Sequence, residues 1–535
     1  MASAGNNSLE DSIRGLYDAL TTLNTFLWIA SAWAAYKIFQ AAYNLSPLHP
    51  LSHIPGPRLA AASYVPELYW DVVCGGRYTR QIWDMHRKYG PIVRISPNEV
   101  HCDDVDFSDE IYAVGGRKRD KPTRQVDGLV LIHSGFGTVG HDLHRVRRAP
   151  LAKFFSRSMI ARLEPEIQAL AQTLCDKLLA QSGKEAFDLT VAYSCFTTDA
   201  ISGYAFGQSL GYLAREGWYP NFRDPTNASL KPVYLFRCLP FLKHLASSAA
   251  WIVDYLPEDL GLVVRALQID LPKKIDTMKA DLNVGKVPER PTIFASMLES
   301  SLPEREKDTS RLAKEAFAVL SAGTETTSWA LAVITYHLLE KPHLLEKLRR
   351  ELVEAGAGKD SRHLPAWTEL EKLPFLGAVI QEGLRLSYGV ATRTARVAPG
   401  ETLLYRGEWD KKPVEYAIPK GYAIGMSSAI MHHDEKVFPD SHAFIPERWL
   451  DGHNQRRKEV ERGLFSFSRG SRQCIAINLA YCELHLGLAA LALRVLPQMR
   501  LFKTTEEDVT WDYDILVPMT KKSSKGVRVT MEYTH

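Results

Sequence analysis

A single thiol placed at the mouth of a helix constrains this chain more than any other feature. The stretch Phe465-Ser-Phe-Ser-Arg-Gly-Ser-Arg-Gln-Cys-Ile-Ala476 runs into an Ala/Leu-rich helical segment and sets Cys474 at its N-terminal end. Helix N-termini carry unpaired N–H groups and a partial positive charge, and Arg469 and Arg472 add cationic field. The expectation is a Cys474 pKa below the ordinary thiol value and good binding of a soft metal. The pattern Phe-x-x-Gly-x-Arg-x-Cys suits an axial ligand to iron: Gly470 permits a tight turn, Phe467 shields the sulfur, and Arg472 can meet an anionic group. A buried cysteine that merely opens a helix is the ordinary alternative for an isolated thiol. The agreement of phenylalanine, glycine, arginine and cysteine in one short loop is more than that alternative explains.

With those residues in place, the chain resembles the cytochrome P450 family of haem-thiolate monooxygenases, whose signature extends the pattern to Phe-x-x-Gly-x-Arg-x-Cys-x-Gly. The family's final glycine is Ala476 here, one methyl larger where the backbone runs close under the porphyrin. The resemblance covers roughly Pro55 to the C-terminus. It implies the mainly helical haem-thiolate fold with small peripheral β-sheets, and haem b (iron protoporphyrin IX) held by Cys474, with Phe467, Arg472 and Ala476 around it. O2 would be the co-substrate.

Composition narrows the alternatives. The 535 residues are 45% hydrophobic, enough for a substantial core. A net charge of +3 from 65 basic and 62 acidic residues, with no dominant basic block, argues against a nucleic-acid partner. Cys74, Cys102, Cys175, Cys195, Cys238, Cys474 and Cys482 are scattered, odd in number and free of any C-x-x-C pair, so neither a disulfide framework nor a zinc site is expected, and the body belongs in a reducing compartment. Cys482 is most simply a packed core thiol.

From Ala19 to Tyr36 the chain carries no charge and includes Phe26, Trp28, Ile29 and Trp33, which predicts a single transmembrane helix of roughly 27 Å at 1.5 Å per residue. A cleavable signal peptide is the main rival, but the leader carries Glu10, Asp11 and Asp18 in place of a basic n-region. The proline-rich stretch Ser46–Pro57 follows as a stiff, extended connector. The expected division is an N-terminal tail and membrane anchor over 1–45, a hinge over 46–57 and a haem-thiolate catalytic domain over 58–535. Such an anchor and hinge resemble those of microsomal members of the family, which implies a single-pass endoplasmic reticulum protein with a cytosolic catalytic domain.

Further on, residues 89–101 alternate β-branched and polar residues around turns and read as a β-hairpin. In His141–Phe155, His144 and Arg148 lie one helical turn apart and can meet one anion, although a solvated basic face has the same spacing. The family's Trp-x-x-x-Arg pair reaches the haem propionates from such a helix; by resemblance Arg148 takes that part, with His144 standing where tryptophan is usual. Residues 163–279 read mainly as helices, with a sequon at Asn227 that would go unused on the cytosolic side. Aromatics there, such as Tyr204, Phe206, Tyr212, Trp218 and Tyr219, fit core packing or an access path.

Arg311 to Leu339 is one long helical pattern whose centre, Ala322-Gly-Thr-Glu-Thr-Thr327, breaks the rule for a helix interior. Threonine hydroxyls bonded to preceding carbonyls are expected to open the ladder there and cut a polar notch in an apolar wall. The segment resembles the family's Ala-Gly-x-(Asp/Glu)-Thr element, with Glu325 and Thr326 as the acid–alcohol pair that passes protons inward. Leu373–Leu386 is a helix with proline in its first turn and Glu382 and Arg385 on one face. With Phe444–Trp449, it matches the family's Glu–Arg–Arg lock, Arg448 supplying the third member; a buried triad of that kind holds the loop that carries the thiolate. By similarity Arg396, rather than Arg393, reaches a propionate, and solvent exposure is the alternative for both. Asp514–Met519 is an apolar turn that by resemblance dips into the substrate pocket, with core packing as the equal alternative. Val319, Ala322, Val390, Ile515, Leu516 and Val517 are the candidate substrate contacts.

The resemblance thus implies insertion of one oxygen atom into a lipophilic small molecule, by hydroxylation or epoxidation. Electrons would come from NADPH through a separate membrane-bound cytochrome P450 reductase, since no flavin or iron–sulfur module is recognisable. Lys153 and Arg456-Arg457-Lys458 could complement an acidic docking face. Residues 144–151 and the Pro-Gly-Pro hinge resemble fungal secondary-metabolism members, such as those oxidising the terpenoid trichodiene. A haem-thiolate isomerase or dehydratase and a non-catalytic haem sensor remain as rivals, and the acid–alcohol pair favours the monooxygenase.

Overall fold

A helix with apolar residues on every face has no side to give to water, and the run from Leu312 to Leu338 is of that kind. In the computed structural model, which describes residues 4–242, 258–286, 290–357 and 362–533, it forms one continuous helix, Thr309–Glu340, through the centre of the fold. Among the described residues this is the one helix long and apolar enough to cross a membrane, and its most apolar window is 72% buried by neighbouring elements, as befits a core helix. Asp308 caps it by accepting from the Arg311 amide at 3.1 Å. The expected opening at the threonines does not occur. Thr326 donates to the Ala322 carbonyl at 2.8 Å and Ser328 to the Thr324 carbonyl at 2.7 Å, yet the helix stays unbroken, because a carbonyl has a second lone pair for the hydroxyl.

The helices that bear on the site are numbered in chain order: α1 (Ala4–Leu45), α2 (His141–Ala152), α3 (Arg157–Leu179), α4 (Leu189–Phe206), α5 (Arg223–Leu230), α6 (Val233–Cys238), α7 (Thr309–Glu340), α8 (Pro374–Ser387) and α9 (Ile477–Arg494). Helix α4 is buried along its whole length and lies against α7; α9 packs on α3, and α8 on α7. The interior of this helical layer is one continuous core that includes Phe196, Phe317, Leu331, Ile334, Val379 and Leu488. Of the aromatics noted in the helical region, Tyr204, Phe206 and Trp218 belong to it, while Tyr219 is exposed. The share of that region lying on 243–257 is outside the described residues.

Among the described residues four small sheets lie at the periphery. β1 (Ile92–Ser96) and β2 (Glu99–Cys102) form the hairpin read from residues 89–101; β2 runs parallel to β7 (Ala423–Gly425), which pairs antiparallel with β4 (Arg396–Val397). β5 (Leu403–Trp409) and β6 (Lys412–Ile418) make a hairpin, and β3 (Phe187–Asp188), β11 (Arg528–Met531) and β8 (Met499–Leu501) a three-stranded sheet. β9 (Tyr513–Asp514) and β10 (Pro518–Met519) pair across the turn Ile515-Leu516-Val517. The seven cysteines are free.

The connector departs from expectation. It is not an extended spacer: residues 46–53 fold into consecutive turns, and Leu51 and Ile54 are buried with Ile92, Val100 and Ile424. Arg94, itself buried, donates to the Asn44 and Pro97 carbonyls at 3.0 Å and meets His49 Nδ1 at 3.0 Å. Apolar burial outweighs proline's preference for an extended chain here. Helix α1 runs unbroken through the expected span, with Phe26, Trp28, Ile29 and Trp33 exposed, but the expected transmembrane helix is not shown: α1 does not reach the apolarity by which a helix qualifies as a span.

Candidate functional site

The thiol loop is built by its own backbone. Cys474 donates its amide to the Phe467 carbonyl at 2.9 Å, Gln473 to Gly470 at 3.1 Å and Ser468 to Phe465 at 2.8 Å. Gly470 has φ +74°, and a Cβ there would sit 2.0 Å from the Tyr112 carbonyl oxygen, so only glycine fits. Ala476 is different. It is the N-cap residue of α9 with φ −97°, which any L-residue adopts, and its methyl packs at the edge of the main core. The Phe467 ring lies 5.2 Å from that of Tyr481.

The expected lowering of the Cys474 pKa is overturned. Burial pushes the thiol up, and the Ala476 amide and Arg148 oppose this only in part. The two arginines credited with the field are turned elsewhere. Arg472 donates to the carbonyls of Arg119 at 3.2 Å and of Thr138 and Val139 at 2.6 Å, and Arg469 bonds the Arg462 carbonyl. Arg148 is the cation that faces the sulfur, held by a 2.9 Å bond to the Gln473 carbonyl. A half-buried thiol whose proton affinity is raised is ionised by a metal rather than by its surroundings.

Beside the loop, α2 and β4 bring His144, Arg148, Arg396 and Arg472 together with Lys121, which sequence reasoning did not include. Burial is the largest influence on each of them, and repulsion from neighbouring cations adds to it at His144, Lys121 and Arg472. Arg472 is pushed down to about 10 by burial and by Arg396, and His144 to about 3 by burial, Arg472, Arg148, Lys121 and His141. Lys121 is lowered by burial, Arg396 and Arg472, and Arg396 by burial. Asp120 is the one carboxylate acting on Arg472, against two arginines, so the cluster is short of negative charge. A cofactor with two carboxylates would balance it. Arg393 is not in solvent, contrary to the alternative for it. It is buried on Glu67 at 2.6 Å and Glu99 at 3.0 Å, and Glu67, held by Arg393, Arg124 and Arg237 against its own burial, sits at about 2.

On α7, Ala322 is exposed although Leu320, Ser321, Thr324 and Glu325 beside it are buried, so the helix opens a face at the centre of the fold. Thr326 lies one turn on, in a recess it shares with Glu325, Trp329, Ser387, Gly389, Val517 and Pro518. Of the predicted substrate contacts, Val517 reaches that recess. Leu516, with φ +97°, packs on Leu129, Val233 and Tyr234, Val319 packs on the main core, Ile515 is buried, and Val390 accepts a bond from Ser428 through its carbonyl. Glu325 is ion-paired with Arg223 of α5 at 2.9 Å, and burial still pushes its carboxyl above the usual range. Arg223, far away in sequence and without a motif, carried no signal.

The Glu382/Arg385/Arg448 cluster is fully buried at its centre. Glu382 accepts from Arg385 at 2.8 Å, Arg448 at 3.1 Å and the Trp449 indole at 2.8 Å, and Arg385 donates to the carbonyls of His432, Ser441 and Ala443. On the surface near the loop, Arg456 and Arg457 are paired with Glu461 and Glu459, each at 2.7 Å, while Lys153 is exposed.

A half-buried thiol loop beside a cation cluster with one carboxylate, together with a core helix that opens a polar face, suits an anionic, metal-bearing cofactor held against sulfur. The cytochrome P450 family model matches residues 68–500. The cytochrome P450 monooxygenase ppzE of Metarhizium majus is 40% identical over 83% of this chain and 95% of its own length. The cytochrome P450 monooxygenase tpcC of Cochliobolus heterostrophus is 39% identical over 96% and 99%, and the N-acetyltryptophan 6-hydroxylase ivoC of Emericella nidulans 36% over 94% and 97%. The chain belongs to the cytochrome P450 family and is an enzyme of the monooxygenase class. Membership brings a haem-thiolate centre, O2, a small-molecule substrate and electrons from a redox partner.

Proposed function

We propose that the chain oxidises a lipophilic secondary metabolite, of terpenoid type, with haem b that Cys474 would ligate through its sulfur and NADPH-cytochrome P450 reductase as electron donor. The observation that carries the site assignment is the charge deficit around Lys121, His144, Arg148, Arg396 and Arg472 beside the Cys474 loop. When bound, the haem supplies oxygen activation and delivery of one oxygen atom to the substrate. The protein's residues do the rest. Arg148, Arg396, Arg472 and His144 hold the carboxylates, Phe467 covers the sulfur, and Gly470 lets the loop approach. Thr326 and Glu325 hold and pass protons at the notch, and the lock at Glu382, Arg385 and Arg448 steadies the segment behind the loop. Val517 and Trp329 are the apolar side chains beside Thr326 and Glu325 in the recess, and a lipophilic substrate would meet them there.

The same proposal places the chain on the endoplasmic reticulum membrane, residues 1–45 anchoring, 46–57 linking and 58–535 catalytic in the cytosol. Support comes from the exposed aromatic face of α1 and from the exposed Leu59, Val65, Tyr69, Val73 and Phe241. Lys153 would face the reductase.

The test is oxidation of a terpenoid panel by membranes carrying the chain. NADPH-dependent product that is lost in Cys474→Ala supports the proposal. Product formed without NADPH would instead mean isomerase or dehydratase chemistry. A reduced carbon monoxide complex without the red-shifted Soret band of thiolate ligation, in folded protein, overturns the assignment of Cys474.

A further inference from the structure

The buried lock does not touch the thiol loop. Glu382, Arg385, Arg448 and Trp449 bond to one another and to the carbonyls of His432, Pro439, Asp440, Ser441 and Ala443, all upstream of the loop. Something else must carry their rigidity to Cys474. The side chain in that position is His432, with no solvent exposure. Its Nδ1 is 2.6 Å from the Arg385 carbonyl, and its Nε2 accepts the Phe465 amide at 2.8 Å. Arg385 returns the contact by donating its guanidinium to the His432 carbonyl at 2.9 Å. The ring is stacked on Tyr388, 5.9 Å away at 17°, with the Phe438 ring edge-on at 6.4 Å, so it has little freedom to turn.

We infer that His432 is a positioning residue that transmits the lock to the thiolate loop, bridging the end of α8 to Phe465. This rests on the proposed role of Cys474 as the axial ligand. The chemistry requires an imidazole. A carbonyl on one side needs a donor and an amide on the other needs an acceptor, and the neutral ring with its proton on Nδ1 offers both, at opposite edges, across a gap no other side chain spans with so few rotors. Burial keeps the ring neutral by pushing its pKa down to about 3. From Phe465 the constraint passes along a short path: Ser466 donates its hydroxyl to the Leu384 carbonyl at 2.7 Å, and the Phe467 carbonyl accepts the Cys474 amide at 2.9 Å. Gly389 makes room for this approach, since a Cβ there would meet the Ser466 carbonyl oxygen at 2.3 Å. No other sequence motif marks His432; it lies between two segments that carry motifs.

The experiment uses the full-length, haem-loaded protein and two readouts. One is the reduced carbon monoxide spectrum; the other is hydrogen exchange of individual backbone amides. In the unaltered protein the Phe465 amide should exchange much more slowly than the amide of the exposed Lys420, which lies in a turn outside the thiol loop. In His432→Phe, which keeps the ring and loses both bonds, Phe465 exchange should rise about tenfold or more while α7 amides stay within about twofold. The red-shifted band should convert over hours to the form of a protonated or displaced thiol. His432→Gln, able to reach one backbone group, should fall between. Two results would overturn the inference: fast Phe465 exchange in the unaltered protein, or a folded His432→Phe protein whose exchange and spectral stability match the parent. If the unaltered protein lacks the red-shifted band altogether, the assignment of Cys474 fails instead, and the exchange data alone decide on the bridge.

Discussion

The Glu325 carboxylate lies 2.9 Å from the guanidinium of Arg223, so the acid at the centre of α7 is tethered to α5. Burial is the largest influence on Glu325 and raises its pKa above 4.5 even with the arginine present. A carboxyl whose folded pKa is raised binds more protons folded than unfolded, so it withdraws stability as pH climbs above its unfolded pKa, up to the folded one. Arg223→Leu removes the partner that limits this rise. The variant should lose about 3 to 5 kcal/mol near neutral pH, and clearly less near pH 4.5, where the unfolded carboxyl too is half protonated. Denaturant melts at the two pH values measure it; an equal loss at both contradicts it.

Gly470→Ala should be severe. The position needs φ +74° and has the Tyr112 carbonyl where the new Cβ would go, so backbone strain of about 1 to 2 kcal/mol adds to displacement of the loop. The reduced carbon monoxide spectrum should lose its red-shifted band even in protein that stays folded at low temperature.

Ala476→Gly should be mild, although it restores the family's residue. Since Ala476 sits at φ −97° and needs no glycine, the change should cost about 0.5 to 1 kcal/mol through added chain freedom and leave the spectrum unaltered. A marked gain in haem retention would show that the methyl presses on the porphyrin.

Arg385→Leu leaves Glu382, with no exposed surface, short of its bidentate cationic partner and strips donors from three carbonyls. A loss of about 3 to 5 kcal/mol is expected from the denaturation midpoint at unchanged slope.

Arg396→Met should act in opposite directions on the two forms of the protein. Arg396 adds positive charge to an already cationic cluster, so its removal relieves the haem-free form, while the haem-bound form loses a charge-assisted bond of about 1.5 kcal/mol, roughly tenfold in haem dissociation rate. Parallel loss in both forms would mean that the side chain serves packing alone.

The sequence carried what local chemistry can write into neighbouring residues. It held the glycine that a positive φ demands at Gly470, the i, i+3 pair Glu382/Arg385, the hairpin at residues 89–101 and the long helical pattern of α7, because each is settled by a few adjacent side chains. It misjudged what depends on the sum of distant contacts. The thiol's proton affinity is governed by burial, which no loop sequence encodes. The connector folds because Leu51 and Ile54 find partners on β1, β2 and β7, and Arg393 is sunk among carboxylates from two separate segments. Only the tertiary structure could pair Arg223 with Glu325, gather Lys121 into the cation cluster and set His432 between the lock and Phe465. These are long-range relations between ordinary residues, and they exist only once the core has brought their backbones together.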